Sequence, residues 1–260
     1  MKTTTKFGLT ALFFLLTLCS INAQKYYRYI NDERKFEFGV RGGFNFSRVN
    51  NFERAPLSRP KDKYIGHADN VRNKIGFNLG LTFDYHLSKK VYLHSALDFL
   101  NKGAKFDYVD DKAIEDRLVR FDDSRLVMMT LQVPIHVGFK IKLSDPFQLS
   151  IHGGPYFAYG ISGKLERGET MAKWTAGGEY VEMPLNEWAT IEKGIAREAE
   201  TYHDTKGFRR FDFGLGLGIL LEHESRVNLG FNYDFGMLDI SRQGDKVKTG
   251  SGFIFVGYKF

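Results

Sequence analysis

The sequence predicts an all-β fold: an eight-stranded antiparallel up-and-down transmembrane β-barrel with long extracellular loops. Three observations carry this expectation. Apolar and polar residues alternate with a period of two in eight separate segments. The connections between those segments are alternately long and short. The chain stops on an aromatic residue, Phe260, in phase with the apolar face of the last segment. Composition agrees. Of 260 residues, 27 are Gly, 24 are Phe and 15% are aromatic, which opposes both a helix bundle and a disordered chain. After the N-terminus no run of 18 apolar residues appears, so helical spans are excluded.

The first 23 residues read as a signal peptide. Lys2 and Lys6 form a positive start, Phe7 to Leu18 is an apolar run too short to cross a bilayer, and Ala23 is a small residue at the cleavage position. A lipoprotein signal at Cys19 is disfavoured, because Leu18 is bulky where a small residue is needed. Cleavage after Ala23 removes the only Cys, and with it any disulfide or thiol chemistry. Removing Lys2 and Lys6 lowers the formal net charge from +6 by two, an excess too weak to argue for nucleic acid. Residues 24–35 are expected to be a periplasmic segment and residues 36–260 the barrel.

The strands follow in order. Phe36, Phe38, Val40, Phe44 and Phe46 share one face of the first, with Glu37, Gly39, Arg41, Gly43 and Asn45 on the other. Ile75 to Leu87, Val91 to Phe99, Leu131 to Ile141, Phe147 to Ile161, Phe211 to Leu221, Val227 to Phe235 and Ile254 to Phe260 alternate in the same way. Short turns are expected at Ser88–Lys90, Ser144–Pro146 and Glu222–Ser225. Long loops are expected at about 47–74, 101–126, 164–207 and 240–250. Short turns and both mature termini would face the periplasm.

Alternation alone does not say which face points outward. The apolar face is nearly pure Phe, Leu, Ile, Val and Tyr, while the polar face carries most of the Gly. That division suits lipid outside and a narrow eight-stranded interior. In lipid every backbone N–H and C=O must be paired, which strands achieve only in a closed ring.

Leu131-Gln132-Val133-Pro134, Gly153-Gly154-Pro155-Tyr156, Lys102-Gly103-Ala104 and the terminal Val256-Gly257-Tyr258-Lys259-Phe260 together resemble the PorT-like outer-membrane β-barrel family of Bacteroidota-type cell envelopes. The resemblance covers about Phe36 to Phe260 and implies fold and location. It implies no activity.

By strand phase the lumen should hold a polar network of Glu37, Arg41, Asp84, His94, Asp98, His136, Lys140, His152, Asp212, Asp234 and Lys259. Lys142 is inward by the same phase, as are Phe253 and Phe255. Nearly balanced charges in a narrow barrel point to a hydrogen-bonded plug rather than a selective pore. Across the closing seam Glu37 should meet Lys259, and Arg41 should pair with Asp84 or Asp212. His94, His136 and His152 come from consecutive strands, yet none has a close-spaced ligand partner, so packing is preferred over metal binding. No cofactor is expected.

Asp110, Asp111, Asp122, Asp123, Ser124, His203 and Asp204 sit in the external loops, where a minority reading would place lipid- or peptide-hydrolysing chemistry. Trp188, Ile191, Ile195, Ala199 and Tyr202 form a helical stripe in loop 164–207, with Asn186 as its cap. That loop is the candidate contact for an envelope protein partner. Ile254, Val256, Tyr258 and Phe260 resemble the terminal signal read by barrel-assembly machinery. Outer-membrane lipid and lipopolysaccharide complete the expected partners. The leading expectation is a non-enzymatic envelope protein, structural, adhesive or accessory to transport or secretion; a small diffusion porin is the alternative.

Overall fold

The structure is a computed structural model. It describes residues 35–52, 57–58, 65–114, 117–168, 171–174, 180–182, 198–202, 207–242 and 246–260. The expected signal peptide and residues 24–34 lie outside these. Eight long strands form the wall: β1 (Phe36–Asn50), β2 (Ile65–His86), β3 (Val91–Ile114), β4 (Arg117–Ser144), β5 (Phe147–Glu166), β6 (Phe211–His223), β7 (Val227–Gly236) and β8 (Lys248–Lys259). Each pairs antiparallel with its neighbour in sequence. β8 then pairs antiparallel with β1, from Gly39↔Lys259 to Asn50↔Lys248, so the sheet closes on itself. The Phe260 N–H donates to Phe38 O at 2.8 Å and extends this seam by one more bond.

The apolar face points outward. Phe44, Ile75, Leu81, Val137, Leu217 and Val256 are each more than half exposed, in a belt that runs round the ring. From Phe36 to Phe46 the belt spans ten residues of β1. At about 3.3 Å per residue and a tilt near 40°, that is about 25 Å, the height of a barrel's lipid-facing band. The inward face is buried and mostly polar.

Above the belt the strands continue, contrary to the sequence expectation. Residues 101–126 do not form a long loop: β3 runs to Ile114 and β4 starts at Arg117. β2 likewise starts at Ile65, inside the expected loop 47–74. The physical reason is a change in the inward face. In β3 the inward series passes from His94 and Asp98 to Leu100, Ala104, Phe106 and Tyr108, all buried. Ala104, Phe106 and Tyr108 join Val49, Phe52, Phe121, Leu126, Tyr202, Phe208, Ile240 and Val247 in an apolar core at the long-loop end, while Leu100 packs lower, with Leu220, Phe253 and Phe255. Phe52 meets Phe106 edge-on at 4.9 Å between ring centroids. A wall with water outside needs an apolar inside, and this core lets the ladders persist beyond the bilayer.

Loop 164–207 partly rejoins the sheet. Met171, Ala172 and Lys173 pair with β4, and Glu198–Glu200 pair with β5. Ala199, expected on a helical stripe, therefore sits opposite Leu165 in a strand, and Tyr202 bridges Gly207. The rest of the stripe, from Asn186 to Ile195, lies outside the described residues.

Where belt and apolar core meet, β3 has an irregularity at Gly103. Its φ is +145°, and a Cβ there would come within 1.8 Å of Leu126 O. The Ser47 hydroxyl accepts from Gly103 N–H at 2.8 Å and donates to Gly103 O at 3.0 Å. Gly103→Ala should therefore destabilise the folded barrel by about 1–3 kcal/mol through strain and collision. Urea unfolding of the lipid-reconstituted protein measures this, and an unchanged midpoint would contradict the tight approach.

Candidate functional site

The site with the densest chemistry is the lumen, where strand register stacks charged residues in levels. At the short-turn end the Lys259 ammonium is the hub. It donates to Glu222 Oε2 at 2.7 Å and lies 2.9 Å from Asp84 Oδ2 and 3.6 Å from Glu37 Oε2. Glu37 is also 2.8 Å from His86 Nε2 and 3.6 Å from Lys140 Nζ. Ser150 donates to Glu222 Oε1 at 2.5 Å. Tyr92 packs beneath the cations, its ring centroid 5.5 Å from Lys140 Nζ and 6.0 Å from Lys259 Nζ.

One level deeper, Arg41 clamps Asp98 with two bonds, Nε to Oδ1 at 2.9 Å and Nη2 to Oδ2 at 2.5 Å. Arg41 does not pair with Asp84 or Asp212 as the sequence suggested. Gly80 of β2 explains the choice. It stands opposite both Arg41 and Asp98, and a Cβ on it would lie 2.0 Å from Asp98 Oδ1. The missing side chain lets Arg41 reach across β2 to β3. The guanidinium also stacks 4.8 Å from the Phe255 ring centroid.

The three histidines converge. His94, His136 and His152 have ring centroids 4.8 to 6.1 Å apart. His94 Nδ1 lies 2.6 Å from Asp84 Oδ1, and the Nδ1 atoms of His136 and His152 are 2.9 Å apart. Among the described residues no group of three or more His, Cys, Asp or Glu has a metal-holding arrangement.

Nearer the long-loop end, Lys102 donates to Gln132 Oε1 at 2.7 Å, and Gln132 Nε2 donates to Asp234 Oδ2 at 2.6 Å. Thr249 donates to Asp212 Oδ2 at 2.7 Å, with the Tyr156 hydroxyl 3.4 Å from the same oxygen. Above this sits the apolar core. Two internal cavities, one against Arg41, Asp98 and Asp234 and one against Asp84, Tyr92 and Lys259, measure about 10 Å³ each. That is room for about one water molecule.

Glu37, Arg41, Asp84, His94, Asp98, His136, His152, Asp212, Asp234 and Lys259 are all buried inside the ring, and Lys140 is nearly so. Lys142 is not. Its side chain is 61% exposed and pairs with Asp145 at 3.1 Å, because it stands at the end of β4 beside the turn, where the inner side is open to water. Sequence reasoning missed Glu222, assigned to a turn, although it continues the phase of Asp212. It also passed over Lys102, whose inward phase follows His94 and Asp98, and the buried hydroxyls of Tyr92 and Tyr156.

The rim residues with hydrolytic potential are held in structural contacts. Asp122 Oδ1 lies 2.7 Å from Arg120 Nε, and Asp123 pairs with Arg72 at 3.1 Å. Ser124 is buried, donating to Phe121 O and accepting from Gly168 N–H. Nothing is described for the side chains of Asp110 and Asp111, and His203 and Asp204 lie outside the described residues.

Residues 22–242 match the family of the outer membrane protein beta-barrel domain. The chain belongs to that family. It is an outer-membrane β-barrel protein of a Gram-negative-type envelope. Among solved structures, it is similar to Neisserial surface protein A (12% identity, TM-score 0.38, covering 85% of this chain and 95% of that one). It is similar to OprG from Pseudomonas aeruginosa (15% identity, TM-score 0.39, 86% and 95%). It is also similar to the outer membrane protease OmpT from Escherichia coli (8% identity, TM-score 0.47, 89% and 99%). No curated protein matches the chain.

The geometry makes Lys259 the residue whose loss strands the most charge. Lys259→Met should destabilise the refolded barrel by about 3–5 kcal/mol, because the carboxylates of Glu37, Asp84 and Glu222 lose their shared cation. Adding Glu222→Gln should recover part of that loss. Refolding in vitro separates this effect from cellular assembly, and strictly additive costs in a double-mutant cycle would contradict the hub.

Proposed function

We propose that the protein is a sealed, non-enzymatic barrel of the PorT-like type, exported by a cleavable signal peptide. It acts through its external hairpins as an adhesive contact or as an accessory to a transport or secretion assembly. The short-turn end faces the periplasm and the long-loop end faces outside. The observation that supports this reading is the filling of the lumen. Charged pairs occupy it through the height of the belt, and an apolar core closes it above. A diffusion pore needs a continuous wet path. The raised β3–β4 hairpin and the ends of loop 164–207 laid against β4 and β5 present an ordered external surface for a protein partner.

The refolded protein should give no ion-conducting steps in planar bilayers and should fractionate with the outer membrane as a heat-modifiable band. Stable conductance would favour the porin alternative, and recovery from the periplasm as a soluble protein would remove the reading altogether.

Assembly rests on the last strand. Ile254, Val256 and Phe260 are each more than half exposed on the outer face, with Tyr258 in phase between them. We expect barrel-assembly machinery to read this row. Deleting Phe260 or making Tyr258→Asp should lower outer-membrane levels several-fold. A charge on the lipid face near the interface costs only about 0–1 kcal/mol, so failed recognition would dominate. Wild-type levels of both variants would contradict it.

A further inference from the structure

On the outer wall of β2 to β5, just above the apolar belt, strand register places like charges side by side. Arg72 stands directly opposite Lys105, Lys105 opposite Arg125, and Arg125 opposite Glu166. Directly opposed residues share a face at about 4.5–5.5 Å, and like charges in that position repel. The acids nearby are taken up by cations other than Lys105 and Arg125. Glu166 pairs with Lys164 at 2.9 Å, while Asp107 and Asp123 each sit 3.1 Å from Arg72. Among the described residues neither Lys105 nor Arg125 has an ion pair. Buried Lys74, whose ammonium donates to Asn101 Oδ1, lies within electrostatic reach of Glu166 and also of Arg125 and Lys105.

The height of this row matters. Ile75, 75% exposed and the last apolar residue of the belt on β2, lies three residues from Arg72. That is about 8 Å along the axis at about 3.3 Å per residue and a tilt near 40°. The polar headgroup layer adds about 5–8 Å to each side of the hydrocarbon. On β4, half-buried Val127 and Met129 continue the outward face from Arg125 down to Leu131. The unpaired cations therefore stand where lipid phosphates stand, above a surface that acyl chains cover.

We propose that Lys105 and Arg125, beside an Arg72 already paired with Asp107 and Asp123, form a binding site for the phosphate groups of the outer-leaflet glycolipid, lipopolysaccharide. This rests on the reading of the long-loop end as external. One phosphate set between the two side chains turns a repulsive pair into two charge-assisted hydrogen-bonding partners. Arg125 offers the planar fork and Lys105 the point charge. The site would fix a lipid against the β3–β4 hairpin and hold that hairpin upright at the membrane surface.

The test uses the full mature barrel, refolded in detergent. Its heat-unfolding midpoint is followed against phosphorylated lipid A, the same lipid with its phosphates removed, inorganic phosphate and a sulfated glycan. Phosphorylated lipid A should raise the wild-type midpoint more than the dephosphorylated lipid does. Lys105→Ala with Arg125→Ala should abolish that difference and weaken apparent binding at least tenfold. Without lipid the double variant should be no less stable than wild type, since a repulsion has been removed. Arg125→Lys should keep most of the response, which guards against a variant that simply misfolds. Equal responses to the two lipids, or an unchanged response in the double variant, would overturn the site. So would a response to the sulfated glycan or inorganic phosphate that matches lipid A, since that assigns a soluble anion instead. Fractionation of wild type, with protease accessibility of the long-loop end in intact cells, tests the outer-membrane reading and its orientation separately.

Discussion

Closure of the β1–β8 seam is the constraint on which everything else depends. In a bilayer an unpaired strand edge exposes a row of N–H and C=O groups with no water to receive them. The ladder from Gly39↔Lys259 to Asn50↔Lys248 removes the last such edge. Once the ring is closed, the phase of every strand follows. One face meets lipid and must be apolar, and the other meets a lumen narrow enough to be filled by its own side chains. The small residues of the inner face answer the same constraint, as Gly80 does in letting Arg41 pass across β2 to Asp98.

The charged lumen is costly to build, since each buried ion gives up its hydration. What the arrangement provides is register. Lys259 of β8 joins Glu37 of β1, Asp84 of β2 and Glu222 of β6, and Lys140 of β4 reaches the same Glu37. Lys102 of β3, Gln132 of β4 and Asp234 of β7 form a second tie, and Asp212 of β6 joins Thr249 of β8 and Tyr156 of β5 in a third. A slip of one residue in any strand would turn its charges toward lipid and its Phe and Leu residues inward. The network thus works against the wrong pairings. Six inward acids, Glu37, Asp84, Asp98, Asp212, Glu222 and Asp234, face the cations Arg41, Lys102, Lys140 and Lys259. The histidines and hydroxyls absorb the remainder through hydrogen bonds.

Strand number, strand phase and the turns at residues 87–90 and 145–146 were legible in the sequence, because period-two alternation is unbroken wherever lipid lies outside. Pairings inside the lumen were less so. The approach of Glu37 to Lys259 follows from both lying at the seam and near one end. The choice of Asp98 by Arg41 depends on a gap above Gly80, a property of three strands at once. Lys142 shows the opposite failure: alternation predicts its face, but its place at the end of β4 beside the turn leaves it in water, paired with Asp145. Glu222 was hidden because a charged residue beside Glu224 and Ser225 reads locally as a turn, although its phase places it inside.

The long-loop end was misread for a reason that makes it interpretable afterwards. In β3 the inward positions keep their phase from Tyr92 to Tyr108, yet their chemistry inverts. His94, Asp98 and Lys102 give way to Ala104, Phe106 and Tyr108, while the outward Leu97 and Phe99 give way to Asn101 and Lys105. A rule that seeks apolar residues on the outward face stops reading strand at that point. The physics requires the inversion instead. A wall surrounded by lipid can afford a polar interior, whereas a wall surrounded by water holds together only if its interior is apolar. The residue at which the two patterns exchange therefore marks the bilayer surface. In this chain it falls around Gly103, where the backbone departs from regular strand geometry and Ser47 clasps both its N–H and its C=O. Beyond Gly103 the described side chains of this hairpin, Ala104 to Val109 and Phe121 to Leu126, follow the rules of a soluble β-sheet, which suits them to stand above the membrane.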